Sequence, residues 1–276
     1  MKENLIKGTL IGFGSFFLIV FTLGPCVFML LTSFSKNPDF LASTSQFEFT
    51  LMNYRDVLSN SSVHFLAHLK NSLVVSTASA LLAVWIASMA AYAITRISIP
   101  GRQTLLLAVL AASMFPPVSL VSYLFKLMAG LGWINTLTAL IIPYTAWTLP
   151  LTLWILVSYF SQIPKELDDA AIVDGCSRWQ TLRKVVYPVA MPSIVAVGLL
   201  AFIFAFNEFL FALMLTTDFE ARTVPVGIAL FQGLYGQIPW GSIMAASTIT
   251  TLPVVLLAVF FQGKIVTGLS QGSVKG

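Results

Sequence analysis

Six windows of roughly 20 apolar residues govern what this chain can fold into; they lie near residues 9–32, 72–95, 104–128, 137–160, 189–215 and 242–266. Each is long enough, as a helix, to cross a hydrocarbon core about 30 Å thick. A backbone in hydrocarbon must satisfy its own amides and carbonyls, so the windows predict an all-α integral membrane protein with six transmembrane helices. Only 9 % of the 276 residues are charged and 57 % are hydrophobic, with mean hydropathy +0.88. A soluble domain would carry about a quarter charged residues. Prolines interrupt the third and fourth windows at Pro116–Pro117, Pro143 and Pro150, which membrane helices tolerate when neighbouring groups take the freed carbonyls.

The first window is too long for a signal-peptide core, and no small-x-small cleavage site follows it, so it is expected to remain as a helix. An even number of spans puts both termini on one side. With the N-terminus internal, Lys2, Lys7, Arg96, Arg102, Lys165, Arg178, Arg183, Lys184, Lys264 and Lys275 fall inside. Lys36, Arg55, Lys70, Lys126 and Arg222 fall outside, in longer loops. The excess of inside lysine and arginine predicts that both termini are cytoplasmic. The net charge of +4 is thus a topology signal, with no nucleic-acid patch in it. Cys26 in the first span and Cys176 on the cytosolic side are expected as small packing residues that do not pair.

Chemistry of the enzymatic kind is missing from the chain. There is no GxxxxGK[ST] phosphate loop, no set of residues with metal-ligand spacing and no nucleophile beside a base. His64 and His68 stand four apart in an external segment; a solvated pair is expected there rather than a metal site. "TLMNYRDVLSN" in the same segment predicts a short helix.

Against this apolar background, eight charged residues fall between Lys165 and Lys184. Glu166, Asp168 and Asp169 crowd a first helical turn, where acids complement the helix dipole, and Pro164 suits its start. Gly175 suits a helix end. Ser177 and Gln180 then form a capping box for a second helix, with Trp179, Leu182 and Val186 on one apolar stripe. On the first helix Leu167, Ala170, Ala171 and Asp174 recur on one face, where the two alanines leave a shallow spot for another protein surface. Positive-inside loops need basic residues, but they do not need two capped helices; a docking element needs both.

The segment Asp169-Ala170-Ala171, Gly175 and Val185-Val186-Tyr187-Pro188 resembles the EAA motif of permease subunits of bacterial ABC importers. Asp stands for Glu, Val for Ile and Tyr for Leu, with the spacing intact. "LMNYRDVL", "NSLVVS", "MFPPVSLV", "GLGWINTLTALIIPYTAWTLPLTLWIL", "FNEFLFALMLT", "TVPVGIALF" and "GLSQGSVKG" extend the resemblance over nearly the whole chain, to the carbohydrate branch and its maltose-permease G-type subunits.

The resemblance implies a type I ABC importer permease fold, with residues 161–187 as a cytoplasmic coupling loop between the fourth and fifth spans of one transmembrane domain. Its implied partners are a second permease subunit, two ATPase subunits and an extracytoplasmic sugar-binding protein. ATP and Mg would be bound by the ATPases, with no cofactor in this chain. Asp169, Ala170, Ala171 and Gly175 would carry ATPase coupling, helped by Asp174, Arg178 and Trp179. The C-terminal residues Ser270, Gln271, Gly272 and Ser273 would reach the ATPases, the alternative being a frayed terminus. Gln232, Gly233, Tyr235 and Gln237 would reach the binding protein, the alternative being a plain connection. Asn207 and Glu208 inside the fifth window stand either on the sugar path or in an interhelical hydrogen bond. A di- or oligosaccharide such as maltose or trehalose is the expected cargo, in a bacterial or archaeal inner membrane. A glycerol-phosphate importer and an ion-coupled carrier using Glu208 are the alternatives.

Overall fold

A computed structural model of the chain describes residues 2–36, 48–60, 63–231 and 238–273, with backbone alone at 2–6, 9 and 264–273. Among the described residues the chain is nearly all helix: α1 (Lys2–Ser33), α2 (Met52–Ser59), α3 (Phe65–Arg96), α4 (Arg102–Ser113), α5 (Pro117–Gly130) and α6 (Leu137–Gln162) come first. They are followed by α7 (Glu166–Val173), α8 (Arg178–Thr181), a π-helical turn (Leu182–Val186), α9 (Tyr187–Phe206), α10 (Leu210–Leu215), α11 (Val224–Ala229) and α12 (Trp240–Ser273). Among the described residues, five helical stretches are long and apolar enough to cross a membrane, and α4 with α5, counted as one broken span, makes six.

The third window is not a straight helix. α4 and α5 meet at 86°, because Pro116 and Pro117 remove two amide donors and the residue before a proline is turned away from helical geometry. Pro116 is extended at ψ 125, and Pro117 opens α5 as its first residue. At 12 and 14 residues, each half is about 20 Å long and too short to cross alone. The fifth window is broken as well: α9 ends at Phe206 and α10 starts at Leu210.

By contacts, the chain divides into two compact units, Met1–Leu66 with Gly227–Leu252 and Ala67–Val226 with Pro253–Gly276. In the first unit α2 forms where the sequence predicts a short helix. It is fastened by Asn53, whose amide donates to the Ser33 and Ser35 carbonyls at 2.9 and 2.8 Å. Gly241 comes so close to Asn53 that a Cβ there would lie 2.6 Å from its Nδ2. An 18-residue apolar window of α1 within Leu10–Ser33 has no residue buried within the chain, although Thr32 and Ser33 at its end are buried, and Cys26 lies exposed on α1 rather than packed.

The second unit is built on α3, α6 and the helix running from α8 into α9, with α6 packed most extensively on α9. Along α3, Ser72, Ser76, Ser79, Ala83, Ala87 and Ala91 are all buried, three to four residues apart. Small residues at that spacing let helix backbones approach closely, which is how membrane helices pack when hydrophobicity gives no preference for protein over lipid. Leu153, Leu156 and Phe160 of α6 and Val186, Ala190 and Val197 from the π turn and α9 fill the other side of this core.

The end of α3 remote from Arg96 anchors residues 217–224. Asn71 Nδ2 donates to the carbonyls of Phe219, Glu220 and Arg222, and Ser72 Oγ accepts from Val224 N at 2.8 Å. His68 is buried and its Nδ1 lies 3.2 Å from the Arg222 carbonyl, so it is a packing residue and not half of a solvated pair. Asn135, at φ +62, completes the anchor. Its backbone N–H donates to Leu215 O, its Oδ1 accepts from Thr217 N and Asp218 N, and its Nδ2 donates to Asp218 Oδ1 at 2.9 Å. Asparagine is among the few residues that adopt left-handed backbone readily.

The Asn135 amide, and after it the Glu220 N–H, hold the Asp218 carboxyl below the usual carboxylate range. A carboxyl lowered on folding adds stability above its unfolded pKa, about 4, and that stability is lost as pH falls through the lowered folded value. Thermal unfolding should therefore separate the intact chain from Asp218→Asn at neutral pH. The gap should narrow as pH falls below about 4 and close below the lowered folded value; a gap that persists unchanged to pH 2 would refute the assignment.

Candidate functional site

Two places combine polar side chains with interrupted helix: the charged segment between α6 and α9, and the break between α9 and α10. In the first, α7 begins after Pro164 with Glu166, Asp168 and Asp169 in its first turn. It ends with Gly175 N–H donating to Ile172 O at 3.0 Å and Cys176 N–H to Ala171 O at 2.9 Å. This is the paired bond pattern that closes a helix through a left-handed residue, and Gly175 sits at φ +82. Nothing lies within 4 Å of a Cβ built there. A side chain is opposed by backbone conformation alone, at about 1–2 kcal/mol.

Ser177 then opens α8 with the reciprocal box: Gln180 N–H donates to Ser177 Oγ at 3.3 Å and Ser177 N–H to Gln180 Oε1 at 2.8 Å. α8 does not stop before the span. It runs through the π turn into α9 as one helix, Arg178–Phe206. Pro188 accounts for the π turn, because it offers no N–H to the Lys184 carbonyl and its ring would collide with it. Widening the turn, with Tyr187 N–H on Leu182 O, absorbs the proline and lets the helix continue.

The charged segment shows two faces. Asp169, Ala170, Asp174, Gly175, Arg178 and Trp179 are exposed, together with Leu167, Ile172 and, at 87 % exposure, Val173. Ala171 points the other way and is buried, so the outward shallow spot rests on Ala170 alone. Trp179 likewise leaves the stripe shared by Leu182 and Val186, both of which are buried.

The inward face carries Asp168, 3 % exposed. Its Oδ2 lies 3.0 Å from Arg96 Nε, and both side chains are buried. The approach lacks the alignment of a hydrogen bond, so the contact is an ion pair. Arg96 Nη2 also donates to the Ile163 carbonyl at 2.9 Å, just past α6. One guanidinium therefore joins the ends of α3 and α6 to α7. The Tyr92 hydroxyl lies beside Asp168 and Arg178. Arg96 reads in the sequence only as a topology charge and Asp168 only as a helix-dipole acid. No local spacing signals a pair 72 positions apart.

At the second place, Asn207 and Glu208 are the two caps of a broken helix. Asn207 Nδ2 donates to the Ile203 carbonyl at 2.8 Å, closing α9. Glu208 Oε1 accepts from Phe211 N at 2.8 Å and Oε2 from Ala212 N at 3.2 Å, opening α10. The buried Tyr144 hydroxyl neighbours the Glu208 carboxylate and Thr223. These bonds lie within one span, so both side chains serve the backbone of their own helix, while the Tyr144 hydroxyl approaches Glu208 from α6. Gln232, Gly233, Tyr235 and Gln237 lie outside the described residues. Ser270, Gln271, Gly272 and Ser273 continue α12 as helical backbone.

Residues 83–271 match the family of binding-protein-dependent transport system inner membrane components. The chain is 52 % identical, over the full length of both, to the trehalose/maltose transport system permease protein MalG of Thermococcus litoralis. It is 39 % identical to the sulfoquinovosyl glycerol transport system permease protein SmoH of Agrobacterium fabrum, covering 94 % of this chain and 91 % of that one. Its fold superposes with TM-score 0.79 at 18 % identity on a chain of a bacterial ABC transporter involved in alginate import, over 95 % of this chain and 98 % of the other. The chain belongs to the family of binding-protein-dependent transport system inner membrane components, as a multi-pass permease of the ABC type.

Removing one member of a buried ion pair strands the other and costs about 3–5 kcal/mol, whereas an apolar pair of similar volume is often tolerated. Arg96→Met and Asp168→Leu should each lower the midpoint of thermal unfolding sharply, and the double variant should recover most of the loss. Strictly additive losses would show that the two side chains do not depend on each other. At the break, Glu208→Ala removes the acceptor for two amides and should cost about 2 kcal/mol, near the upper end for a lost cap. Glu208→Gln keeps one acceptor oxygen and should cost less than half of that; equal losses in unfolding measurements would rule out the capping role.

Proposed function

We propose that this chain is the permease subunit of an ATP-driven sugar importer, forming half of the pathway for a di- or oligosaccharide such as trehalose or maltose. The observation that carries the cargo is the 52 % identity over the whole chain to a trehalose/maltose permease. In this reading a second permease subunit completes the pathway and an extracytoplasmic binding protein delivers the sugar. Two ATPase subunits bind ATP and Mg, and this chain is non-catalytic. Both termini are cytoplasmic by the distribution of lysine and arginine. The 18-residue apolar window of α1 with no residue buried within the chain supports a partner subunit or lipid along that window.

α7, the Gly175 turn and α8 form the ATPase-docking element. Its exposed Val173, Ile172, Leu167 and Trp179 supply apolar area that a partner would remove from water, which is where association gains most of its free energy. Asp169, Asp174 and Arg178 stand around that surface and give the charge pattern that fixes register. Asp168 and Ala171 are not contacts in this reading. They hold the element to its own spans. The tail at residues 270–276 reaches the ATPases and the segment at 232–237 the binding protein.

ATP hydrolysis by the assembly in lipid tests the proposal. Trehalose- or maltose-loaded binding protein should stimulate hydrolysis, and Gly175→Leu should reduce that stimulation at least tenfold while leaving the spans folded. Failure of an ATPase to co-purify with the chain would sink the importer reading. Full stimulation in Gly175→Leu would remove the element from the coupling path.

A further inference from the structure

At the end of the bundle that carries α7 there is a crevice of about 460 Å³ lined by the first turns of α4, the last turns of α6 and the end of α3. Its lining is graded along the helices. Nearest the helix ends stand Arg102 and Gln103 from α4, Ser161 at the end of α6, and Lys165. One turn further along α4, about 6 Å, the wall is Leu106 and Leu107. Seven residues back along α6, about 10 Å, it is Trp154. Arg96 also lines it, already committed to Asp168. Arg102 and Lys165 are exposed, and neither has an ion pair among the described residues. No acidic side chain lines the crevice among the described residues.

We propose that this crevice holds an anionic phospholipid, its phosphate between Arg102 and Lys165 and its acyl chains against Leu107 and Trp154. Charge and lining argue together. Two cations with no counter-ion attract a phosphate, and Gln103 and Ser161 can donate hydrogen bonds to its oxygens. A free phosphate would have no use for the apolar wall, and a lipid does. Trp154 is 42 % exposed, and tryptophan at a membrane interface is placed to meet the boundary between headgroup and chain. Basic pockets between transmembrane helices on the cytoplasmic side are a recurrent way to hold anionic headgroups. Lys165 immediately precedes α7, so a bound headgroup would also neutralise charge beside the docking element. The inference goes beyond the proposed function and does not need it, since lipid retention is read without nucleotide.

The test is native mass spectrometry of the intact chain, alone and in its assembly, with phosphatidylglycerol or phosphatidylcholine added at equal amounts. Phosphatidylglycerol should be retained in preference to phosphatidylcholine, in both samples. Arg102→Gln with Lys165→Gln should weaken that preference about thirtyfold, from the loss of two cations near the membrane surface. Both residues are exposed, so the double variant keeps its fold; Arg102→Glu with Lys165→Glu should abolish the preference altogether. Equal retention of the two lipids, or an unchanged preference in the glutamine variant, would overturn the proposal. Displacement of the lipid by millimolar inorganic phosphate would make the crevice a phosphate site instead. Loss of the lipid on assembly would make it a protein interface.

Discussion

Hydrocarbon offers a freed backbone amide nothing to bond to, and the interruptions in the spans of this chain are shaped by that constraint. Where α4 stops before Pro116, its last turn tightens: Met114 N–H donates to Ala111 O and Phe115 N–H to Ala112 O. Where Pro188 deletes a donor, the helix widens to a π turn and goes on. Where α9 breaks, an asparagine closes one end and a glutamate opens the next. In α6, Thr145, Thr148 and Thr152 place their own hydroxyls on carbonyls four residues back, and Ser79 of α3 donates to Ile141 O; the carbonyls that Pro143 and Pro150 leave without a helical donor are those of Ala139 and Ala146. A buried unsatisfied group costs several kcal/mol in lipid. Polar residues inside these spans are therefore first of all backbone partners.

That order of priorities explains what could be read from the sequence. The length of the apolar windows reports crossings, because hydrophobic thickness is a length. The Gly175 end and the Ser177–Gln180 box are legible because their bonds reach three to five residues along the chain. The prolines mark where helices are disturbed, but a proline fixes only its own φ, and an 86° bend and a π turn inside a continuing helix both follow from the same residue type. Glu208 is conspicuous as an acid in oil. Its role becomes plain only once α10 is known to start two residues later. Local pattern also fails to orient α7: Leu167, Ala170, Ala171 and Asp174 share a face by spacing, yet the side turned inward is set by where Asp168 finds Arg96.

That ion pair has an energetic character of its own. Charges taken out of water rarely gain net stability from one another, and the pairs that persist are better understood as fixing geometry. Here the geometry fixed is a junction. Arg96 is the last residue of α3, and its guanidinium meets the carbonyl that ends α6 and a carboxylate in the first turn of α7. An apolar contact would hold these ends together but would let α7 rotate or slide, since dispersion has little directional preference. An arginine fork with one carbonyl and one carboxylate does not.

Under the proposed docking, the two halves of the charged segment carry load differently. α8 is the end of α9, joined through the π turn without a loop, so whatever displaces Trp179 displaces the fifth span. α7 connects to the spans through Asp168–Arg96, the short link at Ile163 and its packing on the π turn, so a displacement at Val173 passes into α3, α6 and the fifth span. Gly175 stands between the halves as the one left-handed residue, with both neighbouring helix ends capped. α7 also packs on α8 and on the π turn, so rotation at that residue would have to slide one half over the other. A partner pushing on the exposed face would thus move α7, the Gly175 turn and α8 together, and pass one displacement to the ends of α3 and α6 and to the fifth span.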